Sequence, residues 1–263
     1  MPERLAIIGL HQEEFTAVKD SHFGPIIHHE YLPKIAVYNG KLFVERANGS
    51  GMLPVDKVVY YGIFEDDLDF ITGLALWGGP CFPNPQAMMD CRLKLPCLAR
   101  ALRHTKFGGD WRGYASADTT LTTEQELVAK WGNWHCGENK VRFNGSFQNE
   151  TSSIIEPYYP GEAVRIVLIG DQYWQVRLTG DTWLKSIHPA SAGYMPVDNA
   201  LLEDSRNIRA GLGLDFLGND YIVTPDGDRY LLEVNHIPNV TRFEEMRLAY
   251  LEEVRNFIAG DAR

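Results

Sequence analysis

Residues 217–238 read Leu217-Gly218-Asn219-Asp220-Tyr221-Ile222-Val223-Thr224-Pro225-Asp226-Gly227-Asp228-Arg229-Tyr230-Leu231-Leu232-Glu233-Val234-Asn235-His236-Ile237-Pro238. Tyr221 to Val223 and Tyr230 to Val234 are rich in β-branched, aromatic and aliphatic residues, and Pro225, Asp226 and Gly227 supply turn chemistry between them. The spacing predicts two strands. Paired antiparallel about that turn, they bring Asp220 at the start of one near Glu233 at the end of the other. Asn235, two residues on, shares the face of Glu233 because side chains alternate along a strand. Two carboxylates and an amide oxygen on one face are hard oxygen donors, of the kind Mg²⁺ (or Mn²⁺) takes when it also holds phosphates. The competing reading is a surface hairpin whose acids are merely solvated, which is ordinary on a strand's outer face. The apolar bracketing of Glu233 by Tyr230, Leu231, Leu232 and Val234 weighs against it, because a carboxylate set among such residues is costly to bury unless paired or metal-bound.

Working outward, the chain's 263 residues suffice for a substantial core, as one large domain or as two or three lobes. Apolar residues make up 44%, an ordinary share, while a formal charge of −10 disfavours nucleic acid or an anionic membrane as main partner. No apolar run approaches the ~18 residues of a membrane span, and the short apolar stretch after Met1-Pro2-Glu3-Arg4 does not make a signal peptide. Cys81, Cys91, Cys97 and Cys136 form no Cys-x-x-Cys pair, so neither a disulfide framework nor a zinc site is expected and the setting reads as cytoplasmic. His28 and His29 lack a third ligand at a plausible spacing and read as ordinary histidines.

Along the chain, Leu5 to Leu10 predicts a short strand, and Ile35 to Tyr38 and Lys41 to Val44 flank Asn39-Gly40, a strong hairpin signal. Lys57 to Phe64 predicts a buried strand, followed by a helix carrying Leu68, Ile71, Leu74 and Leu76 that breaks at Gly78-Gly79-Pro80. Pro83-Asn84-Pro85 opens a second helical stretch, restarting near Leu95 because Pro96 disfavours a continuous helix. Glu124 to Trp131 predicts the end of a short helix running into a strand, 132–140 a loop, and Val141 to Phe147 a hairpin turning at Asn144-Gly145. Asp198 can cap a helix to about Gly211, and Thr241-Arg242-Phe243-Glu244 has capping-box spacing before a final helix.

The pattern Asn219-Asp220-Tyr221-Ile222-Val223…Leu231-Leu232-Glu233-Val234-Asn235 resembles the C-terminal metal hairpin of the ATP-grasp superfamily. A second block, Ser153-Ile154-Ile155-Glu156-Pro157-Tyr158-Tyr159-Pro160-Gly161-Glu162-Ala163-Val164-Arg165, resembles that family's hinge between its two grasping lobes. The resemblance implies an α+β ATP-grasp fold with an α/β N-terminal lobe at 1–83, a central lobe at 84–159 and a C-terminal lobe with the metal site at 160–263. It also implies ATP held around Glu156, Pro157, Tyr158 and Tyr159. Pro157 has a carbonyl but no N–H and can only accept, whereas Tyr159 can donate, which suits the amino group and N1 of adenine. Glu162 becomes the candidate for the ribose hydroxyls and Lys130 for adenine and α-phosphate. Lys94 and Arg92 compete for a phosphate, with Lys94 preferred, and Lys140 or Arg142 could help. Arg165 resembles the Arg that meets the γ-phosphate or acyl phosphate, Arg177 should lie near it on the next strand, and Lys185 faces the triphosphate. Asp220, Glu233 and Asn235 would hold Mg²⁺, with Glu233 bridging two ions.

Most members of this superfamily activate a carboxylate as an acyl phosphate, which an amine then attacks. The expectation is thus an ATP-dependent carboxylate–amine ligase, acting on small-molecule or peptide substrates. A hydroxyl kinase on the same fold and a non-catalytic ATP-binding module are the alternatives. The sequence leaves the oligomeric state open, a homodimer included.

Overall fold

The computed structural model describes residues 2–62, 64, 66–133, 139–180, 183, 192–240 and 242–260. In chain order the first elements are β1 (Leu5–Ile8), α1 (Gln12–Val18), β2 (Ile26–His29), β3 (Ile35–Tyr38), β4 (Lys41–Glu45), β5 (Met52–Val55), β6 (Lys57–Tyr60), α2 (Asp67–Trp77) and β7 (Cys81–Phe82). β2, β1, β6 and β7 form a parallel sheet in that order, and every residue of β1 and β6 is buried. A parallel sheet needs cover on both faces, which explains these continuous apolar runs. β3, β4 and β5 make the small antiparallel insert expected from Asn39-Gly40, whose φ values of 49° and 69° are those a tight two-residue hairpin requires. His28 donates to the Leu10 carbonyl and stacks on Phe15, and His29 donates to the Glu45 carbonyl, so both serve packing.

α3 (Pro85–Cys91) starts at Asn84, whose side chain accepts from the Gln86 N–H at 3.0 Å, and α4 (Lys94–Ala101) restarts one residue before the expected Leu95. Then come β8 (Gly113–Ala115), β9 (Thr119–Trp131), β10 (Lys140–Asn149) and β11 (Ser153–Pro157), an antiparallel sheet in the order β10-β9-β11-β8. Two local expectations fail here. Residues 124–131 belong to the strand β9, because pairing with β10 and β11 on both sides overrides the helix preference of Glu, Gln and Leu. Asn144-Gly145 is not a hairpin turn but a shift of register within β10, with Gly145 at φ 80°.

The last elements of the chain are β12 (Glu162–Ile169), β13 (Gln172–Leu178), β14 (Ala192–Met195), α5 (Asn199–Leu212), β15 (Phe216–Val223), β16 (Arg229–Asn235) and α6 (Glu244–Ala259). Their antiparallel sheet runs β14-β13-β12-β15-β16. Asp198 caps α5 as expected, accepting from Ala200 N–H at 2.9 Å. α6 begins at Glu244 with Phe243 as its N-cap and no side-chain cap bond, and Thr241 of the expected capping box lies outside the described residues. β12 is covered on both faces. Ala163, Val167 and Ile169 join a core with the N-terminal sheet, α2 and α6, while Val164, Ile166 and Leu168 join another with α3, α4 and α5. Among the described residues, no helix is long and apolar enough to cross a membrane.

One buried charge pair stiffens the N-terminal side. Asp67 is fully buried; it accepts from Tyr60 Oη and the Phe64 N–H, both at 3.0 Å, and pairs with Arg92 at the end of α3. Asp67→Asn is expected to lower the unfolding free energy by about 3–5 kcal/mol, because it strands a buried guanidinium. Urea denaturation measures this, and a loss below about 1 kcal/mol, the worth of an exposed pair, would contradict it.

Candidate active site

The hairpin pairs as its sequence predicts, with Asp220 directly opposite Glu233. The register then shifts, so that Tyr221 faces Leu231 and Leu232 becomes the extra residue of a bulge. On its other side Asp220 faces Arg165 of β12. The guanidinium takes both carboxylate oxygens, with Nη2 to Oδ2 at 2.7 Å, and the pair is only about 15% exposed. Lys94, at the first residue of α4, places Nζ 3.2 Å from Glu233 Oε2. Its own backbone N–H donates to the Asn133 carbonyl at 3.2 Å and is therefore already taken. Asn235 sits opposite Gly218 and donates to that residue's carbonyl at 3.3 Å.

Two carboxylates and an amide on adjoining strand positions suit a divalent cation that prefers oxygen. Among the described residues there is no cluster of three or more His, Cys, Asp or Glu side chains that could hold a metal. Three donors fall short of the six that Mg²⁺ requires, so phosphates or water would have to complete its shell.

Across the cleft, Glu156 of β11 is 2% exposed and takes two cations: Lys130 of β9 on Oε1 and Arg112 on Oε2, the latter at 2.9 Å. Lys130 also donates to the Leu232 carbonyl at 3.2 Å. Lys94, Lys130, Lys140, Glu156, Asp220 and Glu233 all line this one cleft, together with Pro157, Tyr158, Tyr159 and Trp183. The Tyr158 N–H donates to Glu126 at 2.9 Å. Because bonded and non-bonded pairs alternate in an antiparallel ladder, the Pro157–Leu127 pair is a non-bonded one and the Pro157 carbonyl points away from β9. Tyr159 stacks on Tyr230, with ring centroids 3.6 Å apart, which ties the end of β11 to the β15–β16 hairpin. Burial pushes the Lys140 ammonium below its ordinary range, and Lys130 and Lys94 push it further, against the opposing pull of Glu233 and Asp220.

Not every expected residue is found here. Arg92 is held in the ion pair with Asp67, so of the two competing cations Lys94 is the one at the cleft. Arg177 faces Val164, not Arg165, and therefore lies on the opposite face of the sheet, where it pairs with Glu162. Proximity of the two strands predicts Arg177 beside Arg165, and the register corrects that expectation. Glu162 shares that other face and is exposed, whereas Ala163 is its neighbour on the cleft side. Lys185 and residues 134–138 of the 132–140 loop lie outside the described residues. Arg112 was missed. Besides the nearby Gly108, its partners Glu156 and Leu231 are 44 and 119 positions away, and no local pattern announces them.

No protein-family model matches the sequence, and no curated protein matches it. Solved structures do match over essentially the whole chain. The D-Ala:D-Ser ligase VanG from Enterococcus faecalis is 16% identical, with a TM-score of 0.63 and 99% of each chain covered. The RiPP-associated ATP-grasp ligase of Chryseobacterium gregarium, solved with ADP and a leader and core peptide, is 14% identical with a TM-score of 0.57, covering 100% of this chain and 98% of that one. The ATP-grasp ligase PsnB, solved with a precursor variant, Mg and ADP, is 13% identical with a TM-score of 0.60, covering 98% of each. The chain has the ATP-grasp fold.

Proposed function

We propose that this protein is an ATP- and Mg²⁺-dependent ligase that joins a carboxylate to an amine through an acyl phosphate, releasing ADP and phosphate. The observation that carries the reading is the convergence of three lysines, a hinge and the Asp220–Glu233 carboxylate pair on one cleft of an ATP-grasp fold. Adenine would lie along Pro157 to Tyr159, and Lys94, Lys130 and Lys140 would meet the phosphates. Mg²⁺, held by Asp220, Glu233 and Asn235, would neutralise charge building on the γ-phosphoryl group. A substrate carboxylate oxygen attacks the γ-phosphorus, the bond to the β–γ bridging oxygen breaks, and ADP leaves. The amine nitrogen then adds to the acyl carbon, phosphate departs with the carbon–oxygen electrons, and the amine gives up a proton. Arg165 serves the γ-phosphate and acyl phosphate because its planar fork matches two phosphate oxygens. The rest of the catalysis is alignment, for which well-held reactants can be worth roughly 7–11 kcal/mol of barrier. Solved neighbours of this fold include a D-Ala:D-Ser ligase and ligases bound to peptide precursors, which makes amino acids and peptides the substrates to screen.

Hydroxylamine tests the chemistry. With carboxylate substrates that drive ADP release, a hydroxamate is expected from trapping of the acyl phosphate. ADP plus a stable phosphorylated product and no hydroxamate would replace the ligase by a kinase.

Lys140 adds a pH dependence. A polyphosphate beside it favours its charged form, so ATP binding takes up a proton when the free protein has lost it. ATP affinity is thus constant below the depressed Lys140 pKa and falls as pH rises through it toward the bound-state value. Calorimetry in two buffers of different ionisation enthalpy reads the uptake. Lys140→Arg, which stays charged, should abolish it; undiminished uptake in that variant would assign the proton elsewhere.

A further inference from the structure

Arg112 sits just before β8, at the junction of the central sheet with the C-terminal lobe, and its side chain is 8% exposed. It does not line the cleft. All three of its guanidinium nitrogens are nevertheless used. Nε donates to Glu156 Oε2, Nη1 to the Gly108 carbonyl and Nη2 to the Leu231 carbonyl. The backbone beside it makes a second tie to the same strand, because the Leu231 N–H donates to the Phe107 carbonyl at 2.8 Å.

Leu231 and Leu232 are the residues that run through the bulge into Glu233. β16 is the edge strand of its sheet and carries its extra residue at Leu232, so backbone groups there that the ladder does not take need other partners. Here two cations supply them, Arg112 at the Leu231 carbonyl and Lys130 at that of Leu232, and both cations share Glu156. The hinge carboxylate and the backbone that aims Glu233 are thus fastened by the same two side chains. A Lys could replace the charge of Arg112 but not its geometry. One ammonium cannot reproduce a planar fork reaching a carboxylate and two carbonyls on three different segments.

We infer that Arg112 is a positioning residue that couples the nucleotide hinge to the metal hairpin. It has two tasks. It keeps Glu156 compensated when Lys130 turns to a nucleotide phosphate, and it holds the Leu231–Leu232 bulge so that Glu233 faces the metal position. This rests on the cleft being the Mg²⁺–ATP site proposed above. Removing a partner that orients a site from behind its ligands typically costs about 10- to 100-fold in affinity.

The test is calorimetric titration of ADP and electron paramagnetic titration of Mn²⁺ in saturating ADP, on native protein, Arg112→Met and Arg112→Lys. Arg112→Met should lose about 10- to 100-fold in both affinities. Arg112→Lys keeps a cation on Glu156, and should hold ADP affinity near native while still losing Mn²⁺ affinity by about 10-fold or more. That split separates positioning from a general loss of structure, which would lower both together. If Arg112→Met fails to fold, Arg112→Lys decides alone. Native Mn²⁺ affinity in Arg112→Lys, or parallel loss of both affinities in it, overturns the coupling role. Failure of the native protein to bind ADP would sink the nucleotide-site reading instead, and with it this inference.

Discussion

Arg165→Gln is expected to lower kcat by about 10³- to 10⁵-fold, the range an arginine contributes when it stabilises a transferring phosphoryl group. The observation behind this is the bidentate pair with Asp220, about 15% exposed on each side, at the centre of the five-stranded sheet. The odd positions of β12 otherwise carry Ala163, Val167 and Ile169, all buried, so Arg165 is the polar break in an apolar row. If Asp220 is a metal ligand as proposed, a guanidinium kept there would exchange Asp220 for phosphate oxygens when a nucleotide arrives. ATP affinity should change much less than kcat, because charge on the γ-phosphoryl group grows toward the transition state. Steady-state rates of ADP release measure the first quantity and calorimetry the second. A variant that retained kcat but bound ATP poorly would make Arg165 a ground-state anchor instead.

The second large effect concerns the metal. Asp220 is paired with Arg165 and Glu233 with Lys94, so a divalent cation that takes both carboxylates must displace a guanidinium from one and an ammonium from the other. Separating a partly buried pair of this kind costs about 3–5 kcal/mol when nothing else receives the freed charge. Nucleotide phosphates would receive it. Mn²⁺ is therefore expected to bind at least ~100-fold more tightly with ADP present than without it, taking ~1.4 kcal/mol per factor of ten. Glu233→Gln should erase the tight class of sites. Electron paramagnetic resonance of free Mn²⁺ follows both titrations. Equal Mn²⁺ affinity with and without ADP, lost in Glu233→Gln, would mean that Lys94 and Arg165 do not guard the metal ligands.

The reach of the sequence here followed contiguity. The candidate metal hairpin and the candidate hinge are each a single run of residues, and strand propensity with turn chemistry brings Asp220 near Glu233 without any long-range information. Regular alternation back from the Val223–Arg229 pair would set Asp220 against Leu232, and it is the bulge at Leu232, which no local pattern announces, that puts Glu233 opposite it. Sequence favours Lys94 over Arg92 without giving the reason that separates them, because Asp67, which holds Arg92, lies 25 residues upstream. Arg177 failed for a reason of parity. One step of register decides which face of a sheet a side chain takes, and only the pairing with Val164 reveals it. Residues 124–131 carry good helix formers, yet strands on both sides claim them. The lysine and arginine contacts that close on Glu156 join residues from three separate segments, and nothing local encodes them.

The proposed function requires the cleft between Glu156 and Glu233 to be a Mg²⁺-dependent nucleotide site. Calorimetric titration of ATP with and without Mg²⁺ tests it without knowledge of either substrate. Saturable one-site binding that tightens with Mg²⁺, and that loses this gain in Glu233→Gln, is the predicted result. Well-folded native protein that gave no binding heat with ATP, with or without Mg²⁺, would contradict it.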